Sequence, residues 1–314
     1  MSTTAKAPAA AAVRTVAVGG QLVRVAVRPG RRGSRARPVP APLLLVNGIG
    51  ASLELLQPFV HELDPALEVI RFDVPGVGGS PLPAAPYRFT GLCRLIAQLL
   101  TELGHDSADV LGISWGGAVA QHFAAFQRSR CRRLVLVSTA TGMIMVPARP
   151  AVLTRMATPR RYTDRNYLAG VAGDLYGGSA RTDPGQVIAA MNAHNRVGSP
   201  RGYLYQLAAG LGWTSVPFLP LLPQPTLVMS GDDDPIIPVA NARLLHRLIP
   251  NAQLHIFHGG HLGLVTEAAQ LAPVVSRFLT EPLPASHPAR QHSNRQPAKG
   301  DTPWTRSPTR TSTP

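Results

Sequence analysis

The sequence predicts an α/β fold: a mostly parallel, eight-stranded sheet flanked by helices and carrying a helical insertion. Three observations lead there. Short runs rich in Leu, Val and Ile alternate with segments of helical apolar spacing, as in a parallel sheet with helical crossovers. The runs are apolar almost throughout, the pattern of strands covered on both faces. One stretch of about eighty residues breaks the alternation and is too long for a plain loop.

The strands follow in order. "RTVAVGG" and "QLVRVAV" (14–27) form a hairpin turning at Gly19-Gly20, where two glycines suit a tight two-residue turn. Next come "PLLLVNG" (42–48), "LEVIRFDV" (67–74), "ADVLGIS" (108–114) and "RRLVLVS" (132–138), then "PTLVMSG" (225–231) and "AQLHIFH" (252–258). Between them "SLELLQPFVHEL", "TGLCRLIAQLLTELG", "WGGAVAQHFAAFQ", "ANARLLHRLI" and "LVTEAAQLAPVVSRFL" space their apolar residues as helices do.

The expected organisation is a disordered N-terminus (1–12), a core in two parts (13–141 and 223–282), a cap inserted at 142–222 and a disordered tail (283–314). The cap holds short helices in "RPAVLTRMATPRRY" and "VIAAMNAHNRV", then "GYLYQLAAGLGWTSVPFLPLLP" with an aromatic end. The tail is rich in Pro, Ser, Thr and Arg and poor in bulky apolar side chains, so it cannot bury a core.

Charge excludes less than it suggests. The net +14 concentrates in the Arg-rich loop "RPGRRGSRAR" (28–37) and in the tail. Neither interleaves aromatics with its cations, so both read as solvated basic segments and nucleic acid is not an expected partner. No apolar run approaches the roughly 18 residues of a membrane span, and "MSTTAKAPAAAAVRT" lacks a leucine-rich signal core. Cys93 and Cys131, far apart, suggest no disulfide framework, and a reduced cytoplasmic setting is expected.

Catalysis is suggested by "VLGISWGGAVAQ" (110–121). G-x-S-x-G is short enough to arise by chance in a Gly-rich chain, so context decides. Ser114 ends a buried strand and a helix begins directly after it, the setting of a nucleophile elbow. Such a turn demands small neighbours, and Gly112, Gly116 and Gly117 supply them. An incidental helix-capping serine would not need those glycines.

A serine hydroxyl needs a base, and the base an orienting acid. "MSGDDDPIIP" (229–238) offers Asp232, Asp233 and Asp234; Asp234, fixed by Pro235, is the choice and Asp233 its rival. The base is His261 in "HGGHLG", where two glycines let a loop reach the elbow, with His258 the rival. Backbone N–H groups of Trp115 and of Ile49, in "NGIG" (47–50), would cradle the oxyanion. Trp213 and Phe218 are candidate substrate contacts, or else packing for the cap. "VPGVGGS" (74–80) lacks dinucleotide-loop spacing and reads as a tight surface loop beside the site, anchored by Asp73. Metal-ligand spacings are absent and no cofactor is expected.

"NGIGASLELLQPF", "FDVPGVGGSPLP", "GISWGGAVAQ", "YGG" (176–178), "GLGWTS", "GDDDPIIP" and "NAQLHI…GHLGLVT" together resemble the intracellular medium-chain-length poly(3-hydroxyalkanoate) depolymerases, a branch of the α/β-hydrolases. The resemblance spans about residues 13–282. It implies an α/β-hydrolase fold and serine-dependent hydrolysis of a storage polyester on cytoplasmic granules, with Ser114, Asp234 and His261 in the triad roles. The alternatives are a small-molecule carboxylesterase or lactonase on the same scaffold and, in a different class, a non-enzymatic granule-binding protein. A dehalogenase or epoxide hydrolase would carry Asp at position 114, and a polyester synthase a Cys.

Overall fold

The structure is a computed structural model that describes residues 12–31, 40–196 and 198–282. Expectations for residues 1–11, most of the Arg-rich loop and the tail 283–314 lie outside the described residues.

Strands β1 (Ala12–Val18) and β2 (Gln21–Arg28) form the expected hairpin, Val18 opposite Gln21. Gly19 and Gly20 take φ of +54° and +79°, the left-handed pair that matches strand twist. β1 begins at Ala12, inside the stretch expected to be disordered. β2 runs antiparallel to β4 (Val69–Phe72). From there β3 (Leu43–Val46), β5 (Ala108–Ile113), β6 (Cys131–Val137), β7 (Thr226–Gly231) and β8 (Ala252–Phe257) continue in parallel. The spatial order is β1-β2-β4-β3-β5-β6-β7-β8. Chain direction across the sheet reverses between β3 and β5, so a crevice opens beyond their C-terminal ends.

Alternation along each strand feeds two cores. Leu43 and Leu45 face α1 (Gln57–Glu62) and α11 (Ala268–Thr280), whereas Leu44 and Val46 face α2 (Phe89–Glu102), α3 (Trp115–Phe126) and α9 (Ala240–Leu248). The last apolar segment, read as one helix, breaks at Glu267 into α10 (Gly263–Thr266) and α11.

Arg28, counted in sequence with the solvated basic loop, is buried instead. Its guanidinium donates to the carbonyls of Val60, Leu63, Asp64 and Leu67, which close the C-terminal end of α1. A cation there satisfies carbonyls that have no partner within the helix.

The insertion contributes α4 (Pro150–Met156), α5 (Arg160–Thr163), α6 (Arg165–Tyr176), α7 (Pro184–His194) and α8 (Pro200–Gly210). Its two ends meet: the Met143 N–H donates to the Trp213 carbonyl at 2.9 Å, and the Ser215 N–H to Thr141 at 3.0 Å. Sequence reading missed α6, whose Gly170 and Gly173 weaken helical propensity. Asp164 starts it by accepting the Tyr167 N–H at 2.9 Å.

The segment 74–80, expected at the surface, is largely buried. Gly76 lies against Gly202 of α8 so closely that a Cβ on Gly202 would sit 2.0 Å from the Gly76 carbonyl oxygen. Asp73 does anchor the loop. Its carboxylate accepts the N–H groups of Leu53 and Gly79, both at 2.7 Å, and pairs with Arg24 at 2.9 Å.

The described residues through Glu281, insertion included, cluster as one compact unit. No helix among the described residues is long and apolar enough to cross a membrane. Cys93 and Cys131 are buried free thiols, and burial pushes both thiol pKa values up. Neither is expected to react with a chromogenic disulfide reagent in the native protein; both react after denaturation, and fast native labelling would contradict this burial.

Candidate active site

Ser114 adopts φ +55° and ψ −121° at the start of α3. A non-glycine residue in such a conformation stores about 1–3 kcal/mol of strain, retained where surrounding structure over-determines it. The surroundings here are three hydrogen bonds. The Ser114 N–H donates to Val137 at 2.9 Å, and its carbonyl accepts the Gly117 N–H at 2.9 Å and Thr139 Oγ1 at 2.7 Å. Its hydroxyl makes no cap bond to the helix, so capping does not explain the serine.

The glycines are there for clearance. A Cβ on Gly116 would meet the Val46 carbonyl oxygen at 2.1 Å, one on Gly112 the Gly116 carbonyl oxygen at 2.3 Å, and one on Gly117 the Thr139 side chain at 2.4 Å. The first two obstacles are backbone and cannot rotate away. Gly116→Ala is therefore expected to cost about 2 kcal/mol or more of stability, or to abolish soluble expression. A thermal midpoint matching that of the parent would refute the packing described.

Asp234 and His261 stand on loops after β7 and β8. His261 Nδ1 lies 2.8 Å from Asp234 Oδ2 and 3.0 Å from Oδ1. Asp234 Oδ1 also accepts the N–H groups of Ile236 and Ile237, each at 2.9 Å, which fixes the carboxylate plane. The Asp234 side chain is fully buried and that of His261 nearly so. A carboxylate that only accepts keeps the proton on Nδ1, leaving Nε2 as the basic nitrogen. Ser114 and His261 line one cavity.

The rivals are engaged elsewhere. Asp233 accepts the Gly178 N–H at 2.8 Å and pairs with Arg181 at 2.6 Å, which holds its carboxyl below the usual carboxylate range. His258 is almost fully exposed and pairs with Asp232 at 3.1 Å; that carboxylate raises the imidazole pKa.

Opposite Ser114 stands the loop after β3. Gly48 approaches the serine so closely that a Cβ on it would lie 3.5 Å from Ser114 Cβ. Asn47 Nδ2 donates to the Ser52 carbonyl at 2.6 Å, the Gly50 N–H to Gln206 Oε1 at 2.7 Å, and Tyr162 Oη to the Ile49 carbonyl at 2.8 Å. These bonds hold the Ile49 peptide from both sides of the insertion. Trp115, first residue of α3, has a backbone N–H with no intrahelical acceptor. Backbone N–H donors near a serine can stabilise a tetrahedral oxyanion.

The cavity, with the solvent-open space at its mouth, spans about 430 Å³ and is lined mainly by aliphatic side chains, among them Leu55, Leu56, Ile113, Ile236, Leu262 and Val265. Trp213 and Phe218, expected as substrate contacts, are not part of its lining. They pack the insertion onto α2 and α3 instead. The Trp213 ring lies 5.1 Å from Phe89, its Nε1–H donates to His122 Nδ1 at 3.2 Å, and Phe218 meets Phe126 edge to face at 5.5 Å. Burial lowers the His122 pKa, in keeping with a neutral ring that accepts this bond. Sequence reading missed Arg161, Tyr162 and Tyr176, which do line the cavity. Arg160 and Arg161 are adjacent in a four-residue helix, too short for periodicity to tell the exposed one from the buried one.

A profile of the alpha/beta hydrolase fold matches residues 41–268. A poly(3-hydroxyalkanoate) depolymerase from Ectopseudomonas oleovorans is 52% identical over 269 residues, covering 85% of this chain and 92% of that protein. The chain belongs to the alpha/beta hydrolase family and to its poly(3-hydroxyalkanoate) depolymerase branch. A 2-hydroxymuconate semialdehyde hydrolase from Pseudomonas sp. (strain CF600) is 30% identical to this hydrolase, with 84% of this chain and 94% of that one covered. Among solved structures, an enol-lactonase from Burkholderia xenovorans LB400 superposes on this hydrolase with a TM-score of 0.71 at 25% identity, covering 85% of this chain and all of the other.

Proposed function

We propose that this hydrolase depolymerises medium-chain-length poly(3-hydroxyalkanoate) through an acyl-enzyme. Ser114 is the nucleophile, His261 the general base and then acid, and Asp234 the group that orients it. The Ile49 and Trp115 N–H groups receive the oxyanion. The segment 142–222 is the cap that covers the reacting ester, and the enzyme works in the cytoplasm on polyester granules.

The observation that carries this reading is an aliphatic cavity that contains both Ser114 and His261, in a chain 52% identical to a poly(3-hydroxyalkanoate) depolymerase. An alkyl side chain gains about 0.8 kcal/mol for each methylene removed from water, so such a cavity favours longer side chains. Exposed Met143, Ile144, Leu204, Leu207 and Leu211 give the insertion an apolar exterior suited to a hydrophobic polymer surface.

The test is incubation with amorphous medium-chain granules beside the Ser114→Ala variant, with released 3-hydroxyalkanoic acids and oligomers measured. Esters of octanoate are expected to turn over at least about tenfold faster than acetates in kcat/KM. Equal or faster acetate turnover, with no attack on granules, would point to a small-molecule esterase.

A further inference from the structure

Two polar side chains in the cavity lining take no part in the chemistry described above. Arg161 is 2% exposed, and no carboxylate pairs with it among the described residues. Its Nη1 donates to Tyr203 Oη at 2.9 Å and to the Thr158 carbonyl at 3.2 Å, while Nη2 reaches the Ile49 carbonyl at 3.5 Å. The guanidinium lies 4.5 Å from the Tyr162 ring and 5.4 Å from that of Tyr203. A guanidinium carries five N–H donors, and these bonds use three of them.

Tyr176 is 3% exposed, and its hydroxyl is buried with no hydrogen-bond partner among the described residues. Burial pushes that hydroxyl's pKa up, so it remains a neutral donor. A buried cation with no carboxylate partner is costly unless an anion completes it. The interior of a neutral polyester offers none. Its carboxyl end offers a carboxylate, which a guanidinium fork and a hydroxyl suit, next to an alkyl side chain, which the aliphatic walls suit.

We propose that Arg161 and the Tyr176 hydroxyl form a subsite for the terminal carboxylate of a 3-hydroxyalkanoate chain, so that cleavage proceeds from the carboxyl end one unit at a time. This rests on the depolymerase reading. Ser114 Oγ bonds to the carbonyl carbon of the last ester linkage, and its proton passes to His261. The ester C–O bond breaks, and the departing 3-oxygen of the terminal unit takes that proton. The unit leaves as a 3-hydroxyalkanoate. Water then attacks the acyl-serine, giving one proton to His261 and through it to Ser114 Oγ. The shortened chain gains a new carboxylate, which refills the subsite.

The experiment compares two dimers of 3-hydroxyoctanoate, one ending in the free carboxylate and one in the carboxamide. Wild-type enzyme is expected to cleave the free acid with kcat/KM at least about tenfold higher, the difference lying in KM. Arg161→Gln brings the ratio close to one, and Tyr176→Phe lowers it severalfold. A second measurement needs no variant: 3-hydroxyoctanoate competes for p-nitrophenyl octanoate hydrolysis more strongly than 3-hydroxyoctanamide. Equal cleavage of both dimers, or equal competition by acid and amide, overturns the subsite and leaves the depolymerase reading intact. Cleavage of neither dimer nor polymer removes the depolymerase reading and this proposal with it.

Discussion

Ser114→Ala lowers kcat on a medium-chain ester by at least about 10⁴-fold, because a nucleophile and its base act as one unit and removing either leaves only binding and oxyanion stabilisation. Folding is expected to survive. Alanine must adopt the same φ of +55° that serine already bears, and the bonds fixing this turn are made by the residue's backbone. Loss of the hydroxyl removes no cap bond, so the thermal midpoint should shift by less than the equivalent of about 1 kcal/mol. A serine-directed fluorophosphonate labels the wild type and not the variant. Retained labelling, or more than about a tenth of the activity, would place the nucleophile elsewhere.

Asp234→Asn and Asp233→Asn, neighbours in sequence, should separate by orders of magnitude. At 234 an amide oxygen can still accept the Ile236 and Ile237 N–H groups. That turns the amide nitrogen toward His261 Nδ1, which must then accept, and the proton moves to Nε2, where the base is needed. A fall of about 10⁴-fold in kcat with little change in KM is expected. At 233 the loss is an ion pair with Arg181 whose side chains are 45% and 41% exposed. Its cost is at most about 1 kcal/mol, and kcat should stay within a few-fold. Similar defects in both variants, measured by stopped-flow turnover and thermal melts, would undo the assignment of the acid.

The strands were legible because burial on both faces leaves a continuous apolar run, which sequence shows directly. The elbow was legible for a related reason: backbone at positions 112 and 116, and the Thr139 side chain at 117, leave room only for hydrogen around Ser114, and the glycines say so. The acid was harder to assign, since three consecutive Asp residues differ only in direction. Asp232 turns to His258, Asp233 to Arg181 and Asp234 to His261.

The insertion was the least legible part. Its apolar residues serve two surfaces, so Trp213 and Phe218 resemble a substrate wall in sequence yet form a packing joint in three dimensions. Arg161 was hidden by its exposed neighbour, and Arg28 by membership of a charged run. A cation buried against carbonyls or tyrosine rings leaves no mark on composition.

The Tyr176–Gly178 turn threads between the loops that carry Asp234 and His261. The His261 N–H donates to the Tyr176 carbonyl at 2.7 Å, a Cβ on Gly177 would lie 1.9 Å from the Asp233 carbonyl oxygen, and one on Gly178 would lie 2.2 Å from the Gly260 nitrogen. The inserted segment is thus riveted at this end to the backbone that carries the imidazole, and lifting it off as a rigid plate would unseat that ring. The far side, where α5 and α8 meet the Ile49 loop, is held by side-chain bonds from Gln206 and Tyr162 rather than by interlocked backbone.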